Sequence, residues 1–115
     1  HAWGAVPANI LARFVLGVRP AAPGYSKITI APQPGGLAWV RGKVPTAAGP
    51  VTVKIENGAA FRMEIELPAK ARGAVALPMR QQRRVLLDGK PEQAVATDRT
   101  LNVEVPAGRH VLESR

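Results

Sequence analysis

The sequence predicts a mainly β domain: an antiparallel β-sandwich of about eight strands, Greek-key-like, preceded by one N-terminal α-helix. Three observations predict it. Runs of Val, Ile and Leu alternate with polar residues at a period of two. Most of the 11 glycines and 11 prolines punctuate those runs, where turns are needed. Helical spacing is confined to the start of the chain.

In that first stretch Ile10 and Phe14, and Leu11 with Val15 and Val18, stand three or four residues apart and form one apolar stripe. Pro7 suits a first helical turn, where its missing amide hydrogen costs little, and Gly17 followed by Pro20 is an exit signal. The helix is therefore expected over residues 7–16. Beyond Pro20 the period changes to two, with strands expected at 27–30, 37–44, 51–56, 61–67, 74–77, 85–87, 101–105 and 109–113. Asn57 and Gly58 lie between two of these runs and predict a tight hairpin, because both residues tolerate positive φ.

A single greasy helix attached to strands needs something to cover its stripe. Either it caps this sandwich, or it belongs to a helical domain upstream of His1. The chain begins without an initiator methionine and is read as a piece of a longer protein. On that reading an isolated chain exposes Ile10, Leu11, Phe14 and Val15, or hides them by self-association.

Composition limits the function classes. A length of 115 residues is about one domain, and the absence of cysteine excludes disulfides and thiolate metal sites. No apolar stretch reaches the ~20 residues that span a bilayer, so no membrane partner is expected; the compartment stays open. A net charge of +8 suits nucleic acid, an anionic polysaccharide or an acidic neighbouring domain. The bases are scattered, though, clustering only at residues 80–84, and an aromatic content of 4% offers little to stack on bases. Nucleic acid is not an expected partner.

One block of residues is more specific than composition. His1, Ala2, Trp3, Gly4, Ala5 and Pro7 are followed by Val15, Leu16, Gly17, Val18, Arg19 and Pro20. Pro23, Gly24, Tyr25, Ile30, Ala31 and Pro32 come next, then Leu37, Trp39, Gly42, Val44, Pro45, Thr46, Gly49 and Pro50. In order and spacing this block resembles the C-terminal segment of bacterial α-L-rhamnosidases of glycoside hydrolase family 78. The resemblance implies that residues 1–19 are the terminal helix of an (α/α)6 catalytic barrel, and that residues 20–115 are the C-terminal β-sandwich. It further implies a parent enzyme that hydrolyses terminal α-L-rhamnosides with inversion, using two carboxylates on the barrel. The partners it implies are that barrel and, through it, rhamnose-containing glycans. His1, at the position of a pocket histidine of the family, and Trp3 beside it are the substrate-binding candidates of the intact enzyme.

The chain's own residues give no catalytic set. An inverting glycosidase needs two carboxyl groups roughly 6.5–9.5 Å apart. Glu64 and Glu66 are about 7 Å apart by the rise of a strand, yet their alternation with Phe61, Met63, Ile65 and Leu67 turns them to solvent. His110 has no recognisable nucleophile near it in sequence and reads as a surface or edge-strand imidazole. Two distant histidines and scattered acids suit neither zinc nor calcium, so no metal or cofactor is expected. The fragment is thus expected to buttress the barrel without catalysing anything. The alternative is a carbohydrate-binding module for plant or bacterial glycans, with Trp39 and Tyr25 as sugar-stacking candidates. Against it, Trp39 sits between Leu37 and Val40 and is expected to pack in the core or against the helix.

Overall fold

The computed structural model describes residues 15–20, 26–33 and 35–115. Among them the chain forms β1 (Val18–Pro20), β2 (Lys27–Ile30), β3 (Trp39–Val44), β4 (Val51–Asn57), β5 (Phe61–Leu67), β6 (Arg72–Pro78), β7 (Val85–Leu87), β8 (Lys90–Glu92), β9 (Val95–Thr97), β10 (Thr100–Val105) and β11 (Gly108–Ser114). The expected alternating runs all appear as strands. Three further strands, β1, β8 and β9, have three residues each.

Period-two alternation gives every longer strand one apolar row, and two such rows face each other. Val51, Val53 and Ile55 of β4 and Phe61, Met63 and Ile65 of β5 are at most 1% exposed. They join Ile28, Ile30, Val75, Leu77, Val103 and Val105 from the opposite layer in one core. The first sheet runs β1-β2-β6-β10-β9 and the second β3-β4-β5-β11-β7-β8. The chain changes sheet after β2, β5, β6, β8 and β10. All pairings are antiparallel except β2 with β6, which is parallel in the register Lys27↔Arg72 to Ile30↔Val75.

No helical element lies wholly among the described residues. The helix expected over residues 7–16 falls outside them apart from Val15 and Leu16, whose backbone is helical, so the structure lends that expectation no support. The stripe residues Ile10, Leu11 and Phe14 are outside as well. Leu16 is fully buried in the sandwich core, and β1 straddles the expected division between residues 19 and 20. Between them Gly17 has φ +68°, and its carbonyl accepts from the Ala31 amide at 3.1 Å. A Cβ there would lie 1.9 Å from the Ala31 carbonyl oxygen. Only glycine fits this backbone-on-backbone junction.

The turn at Asn57 differs from its expectation. Asn57 pairs with Phe61 as part of the ladder, leaving residues 58–60 as the loop, and neither Asn57 nor Gly58 has positive φ. The extra residue removes the need for a mirror-image turn. Asn57 serves a second purpose: its amide donates to the Ala38 carbonyl at 2.7 Å and its side chain donates to the Leu37 carbonyl at 3.3 Å. The two-residue mirror-image turn is instead at Asp88 (φ 52°) and Gly89 (φ 82°), joining β7 to β8.

Candidate functional site

Of the residues singled out for binding, His1, Trp3 and Tyr25 lie outside the described residues. Trp39 is described, and it does not pack in the core: it is 61% exposed. Parity along β3 explains the difference. Val40, Gly42 and Val44 take the inward positions, with Val44 1% exposed, so Trp39 shares the outer face with Arg41 and Lys43. Those two cations, which must face water, were the signal in the sequence.

On the outer face of the second sheet, register places Trp39, Glu56, Arg62 and Glu113 in one row across β3, β4, β5 and β11. Arg62 holds both carboxylates, with Nη1 3.7 Å from Glu56 and Nε 3.8 Å from Glu113. Lys54 lies 4.0 Å from Glu56. Beside the indole is an open concavity of about 570 Å³ lined by Ala38, Trp39, Glu56, Asn57, Ala60 and Arg62, among others. The Asn57 bonds to Leu37 and Ala38 fix the backbone just before Trp39. Asn57 is itself held by a hydrogen bond from the Arg80 guanidinium, which lies over the Phe61 ring at 5.9 Å. Arg80 is thereby folded inward, away from the exposed Arg83 and Arg84, and residues 80–84 do not make a continuous basic stripe.

Glu64 and Glu66 line a neighbouring groove with Arg41, Lys54 and Arg109. Glu64 is ion-paired with Lys54 at 3.8 Å, Arg62 at 3.7 Å and Arg109 at 4.0 Å, and Glu66 is exposed. A proton-donating carboxyl needs apolar walls, and here the walls are cations. The arrangement is a lattice of surface ion pairs. Among the described residues no group of three or more His, Asp or Glu side chains is placed to hold a metal ion.

His110 is not the surface or edge-strand imidazole that the sequence suggests, for β11 lies inside its sheet between β5 and β7. Its ring, 13% exposed, is clamped between the β7–β8 turn and the loop before β11. Nδ1 is 2.9 Å from Asp88 Oδ2, while Nε2 is 3.0 Å from the Pro106 carbonyl and 3.3 Å from that of Ala107. Asp88 Oδ1 accepts from the Val111 amide at 2.8 Å. Both ring nitrogens face acceptors, and only the imidazolium can donate to both. Burial pushes the His110 pKa down, but the hydrogen bond to Asp88, the Ala107 carbonyl, the Asp88 charge and the Pro106 carbonyl together raise it above its ordinary 6.5. The His110 hydrogen bond and the Val111 amide, aided by the imidazolium charge and opposed by burial, hold Asp88 below its ordinary 3.8. With both nitrogens committed, His110 has none left to act as a base. A separation of 22 positions along the chain hid this contact in the sequence.

Comparison with known proteins follows the fold. The structure is similar to an α-L-rhamnosidase from Dictyoglumus thermophilum, with TM-score 0.79 and 23% identity over 90% of this chain and 13% of that one. It is similar to the Streptomyces avermitilis α-L-rhamnosidase complexed with L-rhamnose, with TM-score 0.79 and 22% identity over 92% of this chain and 10% of that one. An Aspergillus terreus α-L-rhamnosidase gives TM-score 0.66 and 28% identity over 91% of this chain and 10% of that one. The chain therefore spans only 10–13% of the length of the solved structures it matches. A search of curated proteins gives no match. The model of the bacterial alpha-L-rhamnosidase C-terminal domain matches residues 17–92, about two-thirds of the sequence and all of the first eight strands, and the chain belongs to that family.

Proposed function

We propose that this chain is the non-catalytic C-terminal sandwich of an α-L-rhamnosidase, and that it buttresses the catalytic (α/α)6 barrel of the same protein. The parent hydrolyses terminal α-L-rhamnosides with inversion, and its two catalytic carboxylates stand on the barrel. His1 and Trp3 belong to the sugar pocket of that intact enzyme, and residues 7–16 form the seam.

The Gly17 junction is the observation that supports a mechanical role. Leu16 is buried in the core, the Val15 carbonyl accepts from the Gln33 amide at 2.7 Å, and Gly17 lies against Ala31. Residues 15–17 are thus tied to the sandwich by backbone bonds and a buried side chain, as a mechanical junction requires. Activity on p-nitrophenyl α-L-rhamnoside tests the reading. The 115-residue chain should release no p-nitrophenol and the longer protein should release it. In the longer protein Gly17→Ala should lower both melting temperature and activity. Turnover by the 115-residue chain, or full activity and unchanged melting after deletion of residues 18–115, would refute the proposal. Sedimentation of the isolated chain checks self-association through residues 7–16. A second reading, in which the sandwich itself holds a glycan, is favoured by the exposure of Trp39.

A further inference from the structure

We infer that the concavity beside Trp39 is a binding site for one pyranose ring of a neutral glycan. The indole is the platform. A Trp side chain is large and apolar, and leaving 61% of it in water at a fixed position forgoes burial that the neighbouring inward positions show to be available. The position is fixed: the β3–β4 ladder holds Trp39 opposite Glu56, and Asn57 bonds the two preceding carbonyls. A rigid, exposed ring is what the apolar C–H face of a sugar needs, because little conformational freedom is lost on binding.

The polar surround selects the ligand class. Two cations, Lys54 and Arg62, line the concavity with two carboxylates, Glu56 and Glu113, and Arg62 is paired with both while Lys54 is paired with Glu56. This patch is locally balanced on a chain of net charge +8, so it favours neither an anion nor a cation. Its carboxylates accept and its guanidinium donates at neighbouring positions in one row, the pattern that adjacent sugar hydroxyls complement. A volume of about 570 Å³ falls within the range of small-molecule sites, and its open shape points to weak binding. A protein surface fits less well. Stable interfaces bury about 800 Å² per partner around an apolar centre. Among the described residues the exposed large apolar side chains are Trp39, Leu37 and Val95, and Val95 belongs to the other sheet.

The test titrates the 15N-labelled 115-residue chain with methyl α-L-rhamnopyranoside and with cellobiose, following the Trp39 indole N–H and the Glu56 and Asn57 amides by NMR. At least one of the two sugars should shift these signals saturably, with Kd of about 1–10 mM. Trp39→Ala should weaken binding at least about tenfold, and Trp39→Phe should keep it within a few-fold. Both variants should melt as the parent chain does, because the side chain is outside the core. No saturable shift with either sugar up to about 100 mM, or shifts that persist in Trp39→Ala, would overturn the inference. So would burial of Trp39 against the rest of the longer protein, seen as protection of its indole from acrylamide quenching without sugar. The site does not depend on the buttressing role, whose test reads hydrolysis and melting in the longer protein.

Discussion

Each sheet ends in a short strand that cannot hold itself, and the two ends are secured in opposite ways. At β1, the edge of the first sheet, attachment is by shape: Gly17 brings backbone onto backbone at Ala31, with Leu16 buried beneath. At β8, the edge of the second sheet, all three residues are exposed, and attachment is by charge through Asp88, Val111 and His110. Both edges carry proline, Pro20 and Pro91, which blunts pairing with another chain. The shape-based junction allows no side chain and ignores pH. The charge-based one tolerates substitution and follows protonation.

Breaking the first edge should have the largest effect. Gly17→Ala places a Cβ inside the Ala31 carbonyl and a non-glycine residue at φ +68°, and should cost about 3 kcal/mol or more, equally at pH 5.5 and 8.5. Thermal melts at the two pH values check both the size and the pH independence.

Asn57→Ala comes next, because Asn57 joins both kinds of attachment. It removes the bonds to Leu37 and from Arg80, and Arg80 Nε is already buried without a partner. A loss of about 1–2 kcal/mol in urea unfolding is expected.

The second edge sharpens the comparison through its pH dependence. A raised His110 pKa contributes stability that is complete below the unfolded value of 6.5 and fades as pH rises through the folded value. A lowered Asp88 pKa contributes stability that is complete above 3.8 and is lost as pH falls through the folded value. The pair therefore contributes most between about pH 4 and 6.5. His110→Gln should lower the melting temperature by about 2–4 °C at pH 5.5 and by less at pH 8.5. A difference that grew with pH would contradict the imidazolium assignment. Asp88→Asn, which keeps an acceptor for Val111, should flatten the same profile.

The smallest effect should come from Glu64→Gln. Its three cationic partners are on the solvent side, and the change should stay within about 0.5–1 kcal/mol and shrink in high salt.

The same contrast explains what the sequence made legible. Long strands announce themselves because three or four inward residues repeat at period two, as Phe61, Met63, Ile65 and Leu67 do. A three-residue strand has one or two such positions, so β1, β8 and β9 show no period of their own, although each pairs with a strand next to it in sequence. Gly17 was readable as an exit from a helical stretch, whereas its contact with Ala31 was not. Trp39 was misread because apolar neighbours were weighed above parity, which Arg41 and Lys43 had already decided. The His110 contact with Asp88 depends on the register of β11 against β7, and nothing in either segment alone reveals it. His1, Trp3 and Tyr25 came from resemblance, and they lie outside the described residues.

The parallel pairing of β2 with β6 has a consequence for the order in which the molecule assembles. Register joins Lys27 to Arg72, and the intervening chain builds β3, β4 and β5 in the other layer. During synthesis β1 and β2 therefore emerge well before the strand that will flank them, and a two-stranded ribbon is marginal by itself. Closing a loop of that span is entropically slow, so the meander can zip up locally while its elder neighbours wait. The earliest-made edge of the domain thus waits for β6, and the β3-β4-β5 meander of the other layer has that interval in which to form first.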